Sequence, residues 1–108
     1  MRRFKSLAKE VPLPMDQWSR VLHVPMDRWM QRLRSSSGLQ PLETDRVLLI
    51  LELYRMGMGV LGGQDSMARW MAQKHFLFGK PPADLLTSQE GIERVMAELG
   101  RIEHGIPV

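Results

Sequence analysis

The sequence predicts an all-α protein, and three observations support that prediction. Apolar residues recur at spacings of three and four along most of the chain, as they do on one face of a helix. Prolines stand at the start of several of these segments, where an α-helix tolerates them. No segment shows the sustained apolar–polar alternation that is typical of a half-buried strand.

The composition is that of a small globular chain. With 108 residues, 44% of them hydrophobic and 25% charged, the chain can bury one modest core. The absence of cysteine excludes disulfides and thiolate metal sites, and it fits a reducing compartment. The longest apolar run, Val47 to Leu51, is too short to span a bilayer, and no signal-peptide core follows the basic start. We therefore expect a cytoplasmic protein that does not enter a membrane.

Residues 1–38 are predicted to form a basic arm followed by a helix pair. They carry eight Lys or Arg residues and three acids, a net charge of +5, whereas residues 39–108 carry a net charge of −2. Residues 1–12 show no clear period and predict a mobile arm. Two segments that both open with Pro-Met-Asp follow, at 14–22 and 25–33, and each has the start signals of a helix. Only His23 and Val24 separate them, so we expect a sharp turn between two short helices.

The second of these helices carries a polar face that can contact nucleic acid. Arginine and glutamine make bidentate hydrogen bonds to base edges, and a sharply turned helix pair suits helix-turn-helix DNA binding. An ordinary amphipathic helix with a charged exterior explains the same pattern, and a solvated surface explains the basic charge. The candidate DNA-binding residues are Arg28, Gln31, Arg32 and Arg34.

Residues 39–108 predict a helical domain. A long helix starts at Pro41 and is apolar on most sides to Leu61, which places it at the centre of a domain. Further helical segments are predicted at 64–74 and 82–86, before a last helix that Gly105 and Pro107 end.

The details of the last helix are predicted from spacing. Thr87 and Glu90 have the spacing of a capping box, and Arg94 lies four residues from both Glu90 and Glu98, which predicts ion pairs on the outside. Tryptophans 18, 29 and 70 lie on apolar faces and are interpreted as core rather than as interface anchors. The methionines around the glycine-rich bend at 57–63 either fill irregular gaps or form an adaptable surface, and we favour packing.

No pattern of residues points to catalysis. His23, His75 and His104 are far apart in sequence and lack the spacing of metal ligands, and no nucleophile elbow, phosphate loop or dinucleotide fingerprint is present. We expect no catalytic residues, no metal, no cofactor and no enzymatic activity.

Three motifs between Leu39 and Val108 resemble those of the Xre/MbcA/ParS-type antitoxins, the partners of RES-domain toxins. Residues 39–46, Leu-Gln-Pro-Leu-Glu-Thr-Asp-Arg, look like the family's entry to its central helix. Residues 78–91, which end in Leu-Leu-Thr-Ser-Gln-Glu-Gly, are similar to its segment before the last helix, although Phe78 stands where glycine is frequent. Residues 101–105, Arg-Ile-Glu-His-Gly, match its ending.

The resemblance implies a type II toxin–antitoxin module with a C-terminal domain that wraps a toxin. It implies that the tail blocks the toxin's site for NAD or a related substrate, and that the front domain, residues 1–38, binds operator DNA. A homodimer or a hetero-oligomer with the toxin is expected. The toxin-binding residues it implies are Glu90, Gly91, Arg101, Glu103, His104, Gly105 and Val108. Read without the family, Glu90 is a capping residue and His104-Gly105 a helix stop. The alternative function is a stand-alone helix-turn-helix transcriptional regulator.

Overall fold

The computed structural model describes residues 1–105, and within them the regular secondary structure consists of helices. Within this range there is no strand, and one isolated antiparallel bridge joins His75 to Lys80. The predicted all-α class is therefore confirmed. The helices are α1 (Arg2–Ala8), α2 (Met15–Val21), α3 (Met26–Leu33), α4 (Pro41–Leu61), α5 (Gln64–Ala72), a short 3₁₀ helix (Pro82–Leu85) and α6 (Gln89–Glu103).

The helices divide into two compact units, an N-terminal unit at Met1–Leu51 and a C-terminal unit at Glu52–Val108. The division falls inside α4, which is continuous through it. The first half of α4 contributes Val47 and Ile50 to the N-terminal core, and the second half contributes Leu53 and Tyr54 to the C-terminal core. The sequence analysis placed a functional boundary between residues 38 and 39, where Ser35, Ser36, Ser37 and Gly38 end the second helix of the pair. That boundary separates a predicted DNA-binding region from a predicted toxin-binding region, whereas the division inside α4 separates compact units. The functional boundary stays a prediction.

The prediction of a mobile arm over residues 1–12 is wrong. Residues Arg2–Ala8 form α1, and the Phe4 side chain is 1% exposed. Its ring lies edge-on to the Trp18 ring, with 5.1 Å between centroids, and edge-on to the Trp29 ring, at 4.8 Å. Such perpendicular arrangements are favourable for aromatic pairs because a positive ring edge meets a negative face. A seven-residue helix is unstable alone, so this tertiary packing is what holds α1 in place.

The sharp turn between α2 and α3 is confirmed, and His23 makes it. The backbone of His23 has φ +58°, the left-handed region in which glycine is more usual. Histidine takes the conformation here because Val24 N–H bonds back to the Ser19 carbonyl at 2.9 Å and closes the turn. Pro14 and Pro25 sit at the N-caps of α2 and α3, one residue before the helical positions that the sequence suggests.

The C-terminal unit has an aliphatic and methionine core. Met67 and Met71 are buried, which confirms packing for these two residues, and Trp18 and Trp29 are buried in the N-terminal unit as predicted. Trp70 is only half-buried and lies edge-on to His75. The fully buried aliphatic side chains include Leu53, Leu86, Ile92, Val95 and Leu99. None of the helices in residues 1–105 is both long and apolar enough to cross a bilayer.

Candidate functional site

The C-terminal end of α6 presents a cluster of exposed polar side chains. Arg101, Glu103 and His104 are all exposed, and they lie within four residues of one another at the last turn of the helix. Gly105 follows with φ +68°, and its N–H bonds to the Ile102 carbonyl at 3.1 Å, so the helix ends where the sequence predicted. Of the toxin-binding residues that the resemblance implies, Arg101, Glu103, His104 and Gly105 lie together at this end of α6. Val108 lies outside the described residues.

Glu98 anchors this end of α6 from inside the unit. Its side chain is 1% exposed, and one carboxylate oxygen, Oε2, accepts a hydrogen bond from the guanidinium of Arg101, one turn further on. The Arg101 side chain is itself 45% exposed, so part of the guanidinium stays accessible while the carboxylate fixes its position. The predicted exterior ion pair between Arg94 and Glu98 is therefore wrong. Glu98 lies three residues after Val95, which turns it toward the core rather than toward solvent.

The other Glu98 oxygen, Oε1, faces His75. Oε1 is buried without a hydrogen-bond partner, and it lies 3.8 Å from Nε2 of His75. The opposite ring nitrogen, Nδ1, accepts a hydrogen bond from the Leu77 N–H at 3.2 Å. Because Nδ1 is an acceptor, the proton of a neutral His75 ring belongs on Nε2, on the side of the carboxylate. Sequence reasoning found His75 only as a histidine without ligand spacing, and it missed this pairing.

The segment from His75 to Lys80 is a tight turn that the same histidine organises. The His75 carbonyl accepts from the N–H groups of Phe78 and Gly79 at 3.1 and 2.9 Å, and the His75 N–H donates to Lys80 at 3.1 Å. The Phe78 ring tilts against the His75 ring at 4.7 Å and lies beneath the Arg94 guanidinium at 5.3 Å. Phe78, which occupies a position where glycine was expected, thus packs on the histidine.

Phe76 is the most exposed aromatic side chain of the described residues. It is 74% exposed, while Leu77 beside it is 38% exposed. The Phe76 ring stacks on the His75 ring at 5.2 Å, so the apolar tip is held in place rather than left free. Phe78 is the more buried of the two phenylalanines of this turn. An exposed, oriented aromatic ring is a frequent anchor of protein interfaces.

The packing of the C-terminal unit requires glycine at position 91, and the sequence did not reveal this requirement. A Cβ at this position would lie 1.9 Å from the Leu85 carbonyl oxygen, a distance that no side chain tolerates. The close approach lets the 3₁₀ helix run directly against the start of α6. The cap of α6 is Ser88, whose Oγ accepts from the Gly91 N–H at 3.0 Å. The capping box predicted at Thr87 and Glu90 is therefore wrong, because the cap lies one residue later.

Glu90 remains exposed in the first turn of α6. A carboxylate there interacts favourably with the positive end of the helix dipole. Its side chain is thus accessible to a partner, while Gly91 beside it is buried. Of the two neighbouring residues that the resemblance implies here, Glu90 is exposed, and Gly91 is buried and serves the packing.

The candidate DNA-binding face of α3 is exposed at three of its four positions. Arg28, Gln31 and Arg34 point outward. Arg32 instead binds both carboxylate oxygens of Glu43, at 2.7 and 2.8 Å, and also donates to the Gly38 carbonyl at 3.2 Å. This hydrogen bonding lowers the pKa of Glu43 below its ordinary value and raises the pKa of Arg32. The guanidinium of Arg32 is thus committed to fixing the loop between α3 and α4.

The part of the chain that the structure describes contains no group of side chains arranged to bind a metal ion. No three His, Asp or Glu side chains within residues 1–105 are grouped closely enough to hold one. The buried Glu98 carboxylate has protein partners on both sides, so it does not form an open ligand position.

Comparison with known proteins finds a matching family and a solved complex that contains a similar chain. Residues 57–105 match the family described as the antitoxin Xre/MbcA/ParS C-terminal toxin-binding domain. The M. tuberculosis MbcT–MbcA toxin–antitoxin complex contains a chain of the same fold, with a TM-score of 0.70 at 17% sequence identity. The similarity covers 97% of this chain and 94% of that one. No curated protein matches the chain by sequence.

The matched region contains both parts of the site, the 75–80 turn and the end of α6 with its buried Glu98 anchor. The chain therefore contains, at residues 57–105, a domain of the Xre/MbcA/ParS antitoxin C-terminal toxin-binding family.

Proposed function

We propose that this antitoxin neutralises a RES-type toxin, one that consumes NAD or transfers ADP-ribose, by placing the residues that follow α6 in the toxin's active site. The observation that carries the proposal is the exposed cluster at the end of α6. Arg101, Glu103 and His104 are accessible there, and the buried Glu98 carboxylate holds the base of the cluster in one position.

The chemistry of this cluster suits a site that holds a charged dinucleotide. A carboxylate makes short, charge-assisted hydrogen bonds to the arginines that such a site uses for phosphate groups. An arginine and an imidazole on the same helix end can in turn meet acidic groups of the toxin. A helix end that is already ordered loses little conformational entropy on binding, so more of the contact energy appears as affinity.

A truncation tests the tail directly. A chain that ends after Glu103 keeps the whole of α6 together with the Glu98–Arg101 pair. We expect it to fold and still bind the toxin, but to protect cells at least roughly tenfold less well, because the plugging residues are missing. Cellular NAD after co-expression and the survival of the host are the measurements.

Substitutions provide the matched control for this experiment. The double variant Glu103→Ala/His104→Ala should weaken protection, whereas Glu52→Ala/Lys74→Ala, at exposed positions away from the end of α6, should not. Full protection by the truncated chain would exclude the tail mechanism while leaving the antitoxin role intact. If the full chain forms no complex with a RES-type toxin encoded beside it, the toxin class is wrong.

We further propose that the N-terminal unit binds operator DNA. The exposed face of α3 with Arg28, Gln31 and Arg34 supports this proposal, and the tight α2–α3 turn is compatible with a helix-turn-helix. In a mobility-shift assay, Arg28→Ala and Gln31→Ala should weaken binding to the upstream DNA more than to unrelated DNA, because base contacts carry sequence information. Equal losses on both DNAs would contradict base reading by α3.

The module we propose is non-catalytic and acts in the cytoplasm, either as a homodimer or in a hetero-oligomer with its toxin. A stand-alone transcriptional regulator is the alternative. It predicts that the chain binds its upstream DNA equally well with and without a co-expressed toxin and that no toxin co-purifies with it.

A further inference from the structure

The N-terminal unit contains a basic groove that the functions proposed above do not use. One wall is the outer side of α1 and the other is the segment that follows α3, and the groove has a volume of about 830 Å³. We name it the α1 groove. Its polar lining consists of Arg2, Lys5, Ser6, Lys9, Ser35 and Ser36.

The charge of the α1 groove is uncompensated by its own lining. None of the described residues that line it is acidic. The ion pairs Arg20–Asp16 and Arg32–Glu43 of this unit involve neither Arg2, Lys5 nor Lys9. Glu10 follows Lys9 in sequence but does not line the groove. Three cations facing one concave surface attract an anionic partner.

The groove is a built surface because both of its walls are tied down. The Phe4 ring packs between Trp18 and Trp29 and fixes α1 from below. The amino nitrogen of Met1 donates to the Ser37 carbonyl at 2.7 Å, and Ser35 Oγ donates to the Arg32 carbonyl at 2.8 Å while it accepts from the Ser37 N–H. The basic side chains therefore project from a rigid frame.

The spacing of the cations fits a linear polyanion better than a single small anion. Positions 2, 5 and 9 follow the i, i+3, i+7 pattern of one helix face, and they spread over about 10 Å at ~1.5 Å per residue. Duplex DNA carries one negative charge per ~3.4 Å of axis on each strand, so several phosphates fall within that span. A membrane surface fits less well, because interfacial helices insert apolar side chains and the Phe4 side chain of α1 is fully buried.

We propose that the α1 groove binds the sugar–phosphate backbone of duplex DNA beside the bases that α3 contacts. This inference rests on the proposed operator binding and extends it to a second surface. The two surfaces are joined through the chain, since the groove residue Ser35 directly follows the exposed Arg34 at the end of α3. Contacts to phosphates set the register of a protein on DNA without reading sequence.

The test compares matched pairs of charge removals in the full chain. Lys5→Ala/Lys9→Ala removes two groove cations, and Lys74→Ala/Lys80→Ala removes two exposed lysines from the C-terminal unit. A second pair, Arg2→Ala and Arg3→Ala, compares a groove residue with an exposed neighbour on the same helix that does not line the groove. The probes are a duplex from the region upstream of the gene and a scrambled duplex of equal length, each measured by biolayer interferometry at several salt concentrations.

We expect Lys5→Ala/Lys9→Ala to weaken binding roughly tenfold on both duplexes and to reduce the slope of log affinity against log salt by about 2. The Lys74→Ala/Lys80→Ala control should change neither quantity, and Arg2→Ala should have a larger effect than Arg3→Ala. Far-UV circular dichroism and urea unfolding of every variant report whether the fold is retained.

Other results would overturn the inference in distinguishable ways. Wild-type binding with a salt slope that the groove variants leave unchanged would exclude the groove while leaving operator binding by α3 in place. A wild-type chain that binds neither duplex, even at low salt, would remove operator binding and the groove together. Binding to phosphatidylserine vesicles but not to either duplex would assign the groove to a membrane surface instead.

Discussion

The core of the N-terminal unit is packed around aromatic rings, whereas the core of the C-terminal unit includes a buried carboxylate and a glycine that another backbone segment approaches closely. In the first, Phe4, Trp18 and Trp29 are within 1% of complete burial and meet edge to face. In the second, Glu98 is buried beside Arg101, and the absence of a side chain at Gly91 lets the 3₁₀ helix approach α6. The N-terminal core depends on rings that fill volume, and the C-terminal core adds polar pairing and a close backbone approach to its aliphatic packing.

The difference separates scaffold from recognition in the C-terminal unit. Gly91 belongs to a motif that points to toxin binding, yet it is buried and sterically required. Exposed neighbours such as Glu90 and Glu103 have no comparable packing role. Substitutions should therefore affect stability at one set of positions and toxin binding at another.

The largest effect is expected in the aromatic core. Phe4→Ala removes a ring that contacts both buried tryptophans, and large-to-small changes of this kind cost about 3–5 kcal/mol. Urea unfolding followed by circular dichroism measures the loss. Arg3→Ala, at an exposed position on the same helix, should stay within about 0.5 kcal/mol of the wild type. Equal stabilities for the two variants would mean that α1 is not part of the core.

A comparison of two glycines on α6 tests the close approach between the 3₁₀ helix and α6 in the C-terminal unit. Gly91→Ala should cost about 2–3 kcal/mol, because its Cβ collides with the Leu85 carbonyl, which is backbone and cannot swing away. Gly100→Ala should instead stabilise by about 0.5–1 kcal/mol, since its Cβ meets only the Met56 methyl at 3.7 Å and alanine favours the helix. Thermal unfolding of both variants gives the answer, and the same sign for both would contradict it.

Replacing the buried carboxylate tests polar pairing with almost no change in volume. Glu98→Gln keeps the shape but removes the charge that Arg101 binds, and we expect a loss of about 2 kcal/mol. Glu93→Gln, an exposed change on the same helix, should be nearly neutral. Because Glu98 positions Arg101, we also expect Glu98→Gln to weaken toxin binding in a pulldown at temperatures where the variant is fully folded. Unchanged stability would show that the pair contributes nothing.

The smallest effect concerns the Arg32–Glu43 pair of the N-terminal unit and depends on pH. The pKa of Glu43 is lowered in the folded state, so its stabilisation is present above the ordinary pKa of about 4.5 and is lost as the pH falls through the folded pKa. At neutral pH, Glu43→Gln should cost about 1 kcal/mol. The gap to the wild type should close as the pH falls below about 4.5 and through the lowered pKa of Glu43 in the folded state. Urea unfolding at neutral pH and at successively lower pH values measures this difference in stability, with the exposed Glu52→Gln as the control. A difference that does not change with pH would exclude the Arg32–Glu43 ion pair as its source.

Several helices followed directly from the sequence because their signals are local. Pro41 starts α4 where predicted, and α6 ends before Gly105, because proline and glycine act through their own backbone geometry. The all-α class follows from periodicity alone. The family motifs added the toxin-binding assignment of the second half.

The features that the sequence did not reveal depend on contacts between distant residues. Helix α1 is too short to predict from periodicity, and only the rings of Trp18 and Trp29 explain why it forms. Glu98 was placed outside because a charged residue four positions from Arg94 is usually solvated. Its spacing of three from Val95 was the signal that could have placed it on the inner face.

The candidate site was predicted in part for the same reason. The sequence identified the exposed end of α6, where the resemblance and the helix stop coincide. It gave no sign that Arg32 is held by Glu43, because the two residues are separated by a loop whose path is not encoded locally. It also gave no sign that His75 organises the turn behind the site.

The distribution of the three tryptophans has a spectroscopic consequence. Trp18 and Trp29 are completely buried in the N-terminal unit, while Trp70 belongs to the C-terminal unit and lies 5.7 Å from the imidazole ring of His75. Blue-shifted indole emission therefore reports the N-terminal unit, and the emission of the half-buried Trp70 reports the C-terminal unit. Replacing Trp70 with phenylalanine leaves an optical probe of the N-terminal unit alone, so that the unfolding of this unit can be followed in the intact chain without a signal from the other.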